Sequence, residues 1–120
     1  MAKLLIVDDS YFMRTILKQM LFEAGFPDTY EATNGAEAVE KYAVIKPDLV
    51  TMDITMPVMD GLQAVKAIIA SHAKAKIIMA TAMGQQSILA EALRNGAIGF
   101  VIKPLQLAKV QSEVQYALRR

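Results

Sequence analysis

The sequence predicts an α/β fold, a doubly wound three-layer sandwich, on three observations. Short apolar runs alternate five times with stretches of helical periodicity, the central runs are apolar almost throughout, and four runs end in acidic, hydroxyl or amine side chains. Such alternation requires crossover connections, which are right-handed in nearly every known case, so the strands run parallel with helices on both faces. A strand covered on both faces has no solvent side, which is why its sequence is continuously apolar. In open α/β sheets ligands bind beyond the carboxyl ends of the strands, so polar residues collected there are candidate site residues.

Lys3 to Val7 forms the first run and closes on two adjacent acids, Asp8 and Asp9. Ser10 can cap the helix that follows, whose apolar face is Met13, Ile16, Leu17, Met20, Leu21 and Ala24, with Gly25 and Pro27 as a stop signal. Thr29 to Ala32 is a weaker strand pattern. Asn34-Gly35 then turns the chain into a second helix with Ala36, Val39, Tyr42 and Ala43 on one face, ending before Pro47. Asp48 to Met52 delivers Asp53 to a strand end, Pro57, Asp60 and Gly61 interrupt regular structure, and Leu62, Val65, Ile68 and Ile69 mark the third helix. The fourth strand is Lys76 to Ala80, ending at Thr81, and the fourth helix is Gln85 to Asn95, terminated by Gly96. Phe100 to Ile102 is the fifth strand. It ends in Lys103-Pro104, and Leu107, Val110, Val114 and Ala117 stripe the last helix.

A chain of 120 residues without linker, repeat or low-complexity segment predicts one domain over 1–120. Thirteen basic against twelve acidic residues leave a net charge of +1, so no global field points to nucleic acid or an anionic membrane. Without cysteine there is no disulfide framework, thiol nucleophile or zinc ribbon, and the single His72 assembles no histidine metal site. The opening MAKLLIVDD is neither a signal peptide nor a membrane span, which predicts a cytoplasmic chain with no membrane insertion.

The parallel sheet brings Asp8, Asp9, Asp53, Thr81 and Lys103 to one edge. Three carboxylates in one crevice repel one another, and such a cluster persists when a cation neutralises it. Mg²⁺ fits best, because it prefers hard oxygen ligands and takes one or two carboxylates together with phosphate oxygens. A carboxylate beside a metal can act as a nucleophile toward phosphorus, with Thr81 and Lys103 placed to answer the phosphoryl oxygens. Any one of these residues alone reads more readily as turn chemistry or a solvated surface group. Their coincidence at one sheet edge, behind apolar strands, favours a site.

Four segments, LLIVDDSYFMR, TMDITMPVMDG, ATAMG and GFVIKP, stand in order at strand ends, and together they resemble the receiver domain of two-component response regulators, chemotaxis regulators in particular. The resemblance spans essentially the whole chain and implies strand order 2-1-3-4-5. It further implies that Asp53 is the phosphoacceptor, that Asp9 and the Thr55 backbone carbonyl join it as Mg²⁺ ligands, and that Asp8 holds metal-bound water. Thr81 and Lys103 become the switch hydroxyl and the phosphoryl-binding lysine. Phe100 takes the place of a conformational aromatic that is often Tyr, and Lys103-Pro104 is the candidate cis peptide. The implied partners are a histidine kinase or phosphotransfer protein, a phosphatase, and a downstream protein met by the fourth helix, fifth strand and fifth helix. Catalysis is then limited to the chain's own phosphorylation and dephosphorylation.

Three alternatives compete with this reading. An aspartate-nucleophile phosphohydrolase of the haloacid dehalogenase type wants a second acid two residues after the nucleophile, where this chain has Thr55. A flavodoxin-like carrier wants a phosphate loop after the first strand, where Asp8-Asp9 would repel a phosphate. The third is the receiver portion of a longer regulator.

Overall fold

A computed structural model describes residues 1–120. It contains β1 (Leu4–Val7), α1 (Tyr11–Glu23), β2 (Thr29–Ala32), α2 (Gly35–Ile45), β3 (Leu49–Asp53), α3 (Gly61–Ser71), β4 (Ile77–Thr81), α4 (Gln86–Arg94), β5 (Gly99–Ile102) and α5 (Leu107–Arg119). The five strands form one parallel sheet in the order β2-β1-β3-β4-β5. The expected architecture and strand order are therefore both found. β3 lies at the centre, with Val7 opposite Met52 and Asp53 opposite Ala80.

Alternation along the strands sends side chains into two cores. Leu5, Val7, Val50, Met52, Ile77 and Met79 face α2, α3 and α4, where they meet Val65, Ile68 and Ala92. Leu4, Ile6, Leu49, Ile78 and Val101 face α1 and α5, where they meet Leu17, Leu21, Val110 and Val114. Full burial of each large aliphatic side chain contributes roughly 2 kcal/mol. One polar group breaks the pattern: the Thr51 hydroxyl is buried without a hydrogen-bond partner.

The helix boundaries follow from local chemistry. Ser10 caps α1 by accepting from the Met13 amide at 3.2 Å, and Gly25 leaves that helix at φ 97°. Asp60 and Gln63 close a reciprocal capping box at the start of α3. Two expectations need correction. Asn34 is the cap of α2 and Gly35 its first residue, not a turn before it, and the buried face runs through Gly35, Ala38 and Tyr42 while Ala43 is exposed. The reason is close approach: a Cβ on Gly35 would press on the Met59 carbonyl, so the smallest residues of α2 turn inward. In α5, Val110, Val114 and Ala117 are buried as expected, but Leu107 at its start is 38% exposed. His72 caps the end of α3 with its ring 4.8 Å from that of Tyr42. No helix is long and apolar enough to cross a membrane.

Candidate functional site

Asp8 follows β1, Asp53 is the last residue of β3, Thr81 the last of β4, and Lys103 follows β5. Parallel strands with this register must place all four at one end of the sheet. Asp8, Asp53 and Thr81 are buried, at 6%, 7% and 4% exposure, whereas Asp9 is exposed. Each of Asp8, Asp9 and Asp53 brings a carboxylate oxygen within 4.8 Å of the others. The Lys103 ammonium lies 2.9 Å from Asp53 Oδ1 and 3.4 Å from Asp8 Oδ2.

The backbone around the acids is held firmly. Asp8 donates its amide to the Ala32 carbonyl at 3.1 Å, and its Oδ1 accepts from the Ser10 amide at 2.9 Å. Behind Asp53 the Gly61 amide donates to the Ile54 carbonyl at 2.8 Å, and any Cβ at Gly61 would overlap the Asp53 carbonyl. This close approach explains why glycine stands at residue 61. The loop between folds tightly, with the Met59 amide donating to the Pro57 carbonyl at 2.7 Å across Val58 at φ 68°. Thr55 lies in this loop and is exposed. After β5 the Lys103 amide donates to the Thr81 carbonyl at 2.7 Å, and the Lys103-Pro104 peptide is cis.

Burial raises the pKa of Asp53 above the ordinary aspartate value, and the charge of Asp8 adds to it, against the lowering pull of the Lys103 hydrogen bond. For Lys103, burial works to lower the pKa, but the hydrogen bonds and charges of Asp53 and Asp8 outweigh it and the ammonium titrates above the ordinary lysine value. Lys103 pairs with only two of the three acids, which leaves the crevice short of positive charge. Hard carboxylate oxygens at this spacing suit Mg²⁺, and Asp8, Asp9 and Asp53 are the residues that would hold it.

Two residues of the site escape a reading of the sequence. Arg14, 11% exposed, donates to the Asp8 backbone carbonyl at 2.9 Å while its Nε pairs with Glu31 of β2 at 2.9 Å, so it ties the acidic loop to the sheet edge. Its place on the first turn of α1, next to an acid pair, is the only hint the chain gives. Gln85 precedes α4 and hydrogen-bonds Thr81, Ala82 and Thr55. A long amide where a short capping residue is usual is its only signal. Beyond the crevice, Phe100 is 36% exposed and lines a groove of about 500 Å³ with Met83, Ile102, Lys109 and Glu113.

A fold and a site of this kind define a class. Residues 4–115 match the model of the response regulator receiver domain, and the chain belongs to that family. Among its relatives, the chemotaxis protein CheY of Listeria monocytogenes is 49% identical over 119 residues, covering 99% of this chain and all of that one. The chemotaxis protein CheY of Bacillus subtilis is 51% identical over 116 residues, 97% of each chain. Among solved structures, CheY in the CheX-CheY-BeF3-Mg complex from Borrelia burgdorferi superposes with a TM-score of 0.89 at 39% identity, covering 96% of this chain and 87% of that one.

Proposed function

We propose that the chain is a single receiver domain over 1–120 that works as a phosphorylation-operated switch of a two-component system, with Asp53 as its phosphoacceptor. The observation that carries this is the Lys103 ammonium 2.9 Å from a buried Asp53 carboxylate that shares its crevice with Asp8 and Asp9. An Asp53 oxygen attacks the phosphorus of a histidine kinase's phosphohistidine; a P–O bond forms, the P–N bond breaks, and the electron pair leaves with the imidazole. Bound Mg²⁺ would neutralise phosphoryl charge in this step. Asp9, Asp53 and the Thr55 carbonyl are its proposed ligands, with Asp8 acting through water.

Lys103 answers one phosphoryl oxygen as a fixed charge and Thr81 another as a hydroxyl donor. Movement of Thr81 biases a two-state equilibrium that includes Phe100, and the output is a changed α4/β5/α5 surface for a downstream protein. The chain turns over no external substrate on this reading, and a phosphatase resets it. The groove lined by Phe100 and Met83 lies on that surface.

Incubation with acetyl phosphate and Mg²⁺, followed by intact mass and peptide mapping, tests the assignment. One phosphoryl group on Asp53 is expected, lost completely in Asp53→Asn and on chelation. Equal labelling at Asp8 or Asp9 in the Asn variant would overturn it.

A further inference from the structure

Gln85 spans the mouth of the crevice. Its amide oxygen accepts from the Thr81 hydroxyl at 3.2 Å and from the Ala82 amide at 2.8 Å, and its amide nitrogen donates to the Thr55 hydroxyl at 2.9 Å. One side chain therefore joins the loop after β3 to the loop after β4, across thirty residues of sequence. A hydroxyl has a single hydrogen to give. That of Thr81 has two acceptors within its own loop, Gln85 Oε1 and the Ala82 carbonyl at 3.3 Å. The residues between Thr81 and Gln85 are exposed, and a Cβ on Gly84, at φ 89°, would meet no atom, so little packing restrains this segment.

We propose that Gln85 is a positioning residue: it keeps the Thr81 hydroxyl committed to the β4–α4 loop in the resting chain and must release it before Thr81 can donate to a phosphoryl oxygen on Asp53. This inference rests on the reading of Asp53 given above. Its physical content is competition. The phosphoryl oxygen and the Gln85 carbonyl are rival acceptors for one hydrogen, so the tether biases the equilibrium toward the resting state. The same amide holds Thr55, so release also frees the loop after β3 from the loop after β4.

The test is titration of beryllofluoride with Mg²⁺ into wild type, Gln85→Met, Thr81→Ala, their double variant, Thr55→Val and Asp53→Asn, followed through amide NMR shifts, with thermal melts as a check on folding. Methionine keeps the length of the side chain and removes both polar groups. Gln85→Met is expected to bind about fivefold more tightly than wild type, the worth of roughly one net hydrogen bond. In the Thr81→Ala background the same substitution should change nothing. Thr55→Val, which cuts only the far end of the tether, should give a smaller gain in the same direction. A structural role for Gln85 would instead weaken binding in both backgrounds. Unchanged or weaker binding by Gln85→Met, or an equal gain without the Thr81 hydroxyl, overturns the tether. Beryllofluoride binding that survives Asp53→Asn, or is absent in wild type, would overturn the Asp53 reading itself.

Discussion

The two sides of the crevice are built to different standards. On the side of β1, β2 and β3 every helix begins on a side-chain cap: Ser10 to Met13, Asn34 to Glu37 and Asp60 to Gln63. On the other side, α4 and α5 begin at Gln85 and Gln106 with no side-chain cap at all. The glycines next to the crevice loops draw the same contrast. A Cβ on Gly35 or Gly61 would collide with backbone carbonyls of the β3–α3 segment, whereas one on Gly84 would meet no atom. In α4 only Ala92 is buried, and Met83, Phe100 and Ile102 stand partly or wholly in solvent. The acids need a fixed geometry to share a cation, so their side is clamped. On the proposed reading the second side is the surface that changes shape, and such surfaces are drawn from elements of low local stability.

Glycine substitution gives the largest break in this contrast. Gly61→Ala drives a methyl into the Asp53 carbonyl and should cost on the order of 3 kcal/mol in urea unfolding. Gly84→Ala meets no atom and should cost about 1 kcal/mol, the strain of a left-handed backbone alone. Equal losses would mean that the two loops are equally constrained.

Removal of the shared cation is the next largest effect. Lys103→Met leaves Asp8 and Asp53 facing each other and should cost about 2 kcal/mol at pH 7 without Mg²⁺, less than for a fully buried pair because the lysine side chain retains 22% exposure. The pKa of Lys103 is raised on folding, so its contribution is complete below the ordinary lysine value and fades as pH rises through the folded value. The gap between variant and wild type should therefore close at strongly alkaline pH. Asp53 behaves in the mirrored range. Its raised carboxyl stabilises the fold below the ordinary aspartate pKa of about 4, and this is lost as pH rises through the folded value, so Asp53→Asn should gain on wild type across that window. Urea denaturation as a function of pH checks both signs.

The caps give the smallest difference. Asp60→Ala should lose about 1 kcal/mol, whereas Gln106→Ala, which caps nothing, should stay within about 0.5 kcal/mol by thermal unfolding.

The strand ends are legible in the sequence on both sides of the crevice, Asp8 and Asp53 on one and Thr81 and Lys103 on the other. Apolar runs ending in Asp8 and Asp53 announce both the strands and the acids, because burial on two faces leaves little choice of residue. Periodicity misplaces the inward face of α2 because it counts large apolar residues, while the packing there turns on Gly35 and Ala38. Arg14 and Gln85 were illegible for another reason. Their partners Glu31 and Thr55 lie 17 and 30 residues away, and only the folded sheet brings them together. For Lys103 the sequence indicates a place at the site, and the folded sheet adds that its ammonium is divided between Asp8 and Asp53.

That division has a consequence in formal charge. Three carboxylates against one ammonium leave the crevice two units negative, which is the complement of a divalent ion. On the proposed reading, replacing the Asp53 carboxylate by its acyl phosphate adds about one further negative unit at neutral pH. The signal is thus a single elementary charge, delivered to a place whose walls are apolar strands and whose one fixed cation is already shared. On that same reading the added charge draws the Lys103 and Thr81 donors toward it, and the movement of those donors is what a partner would sense.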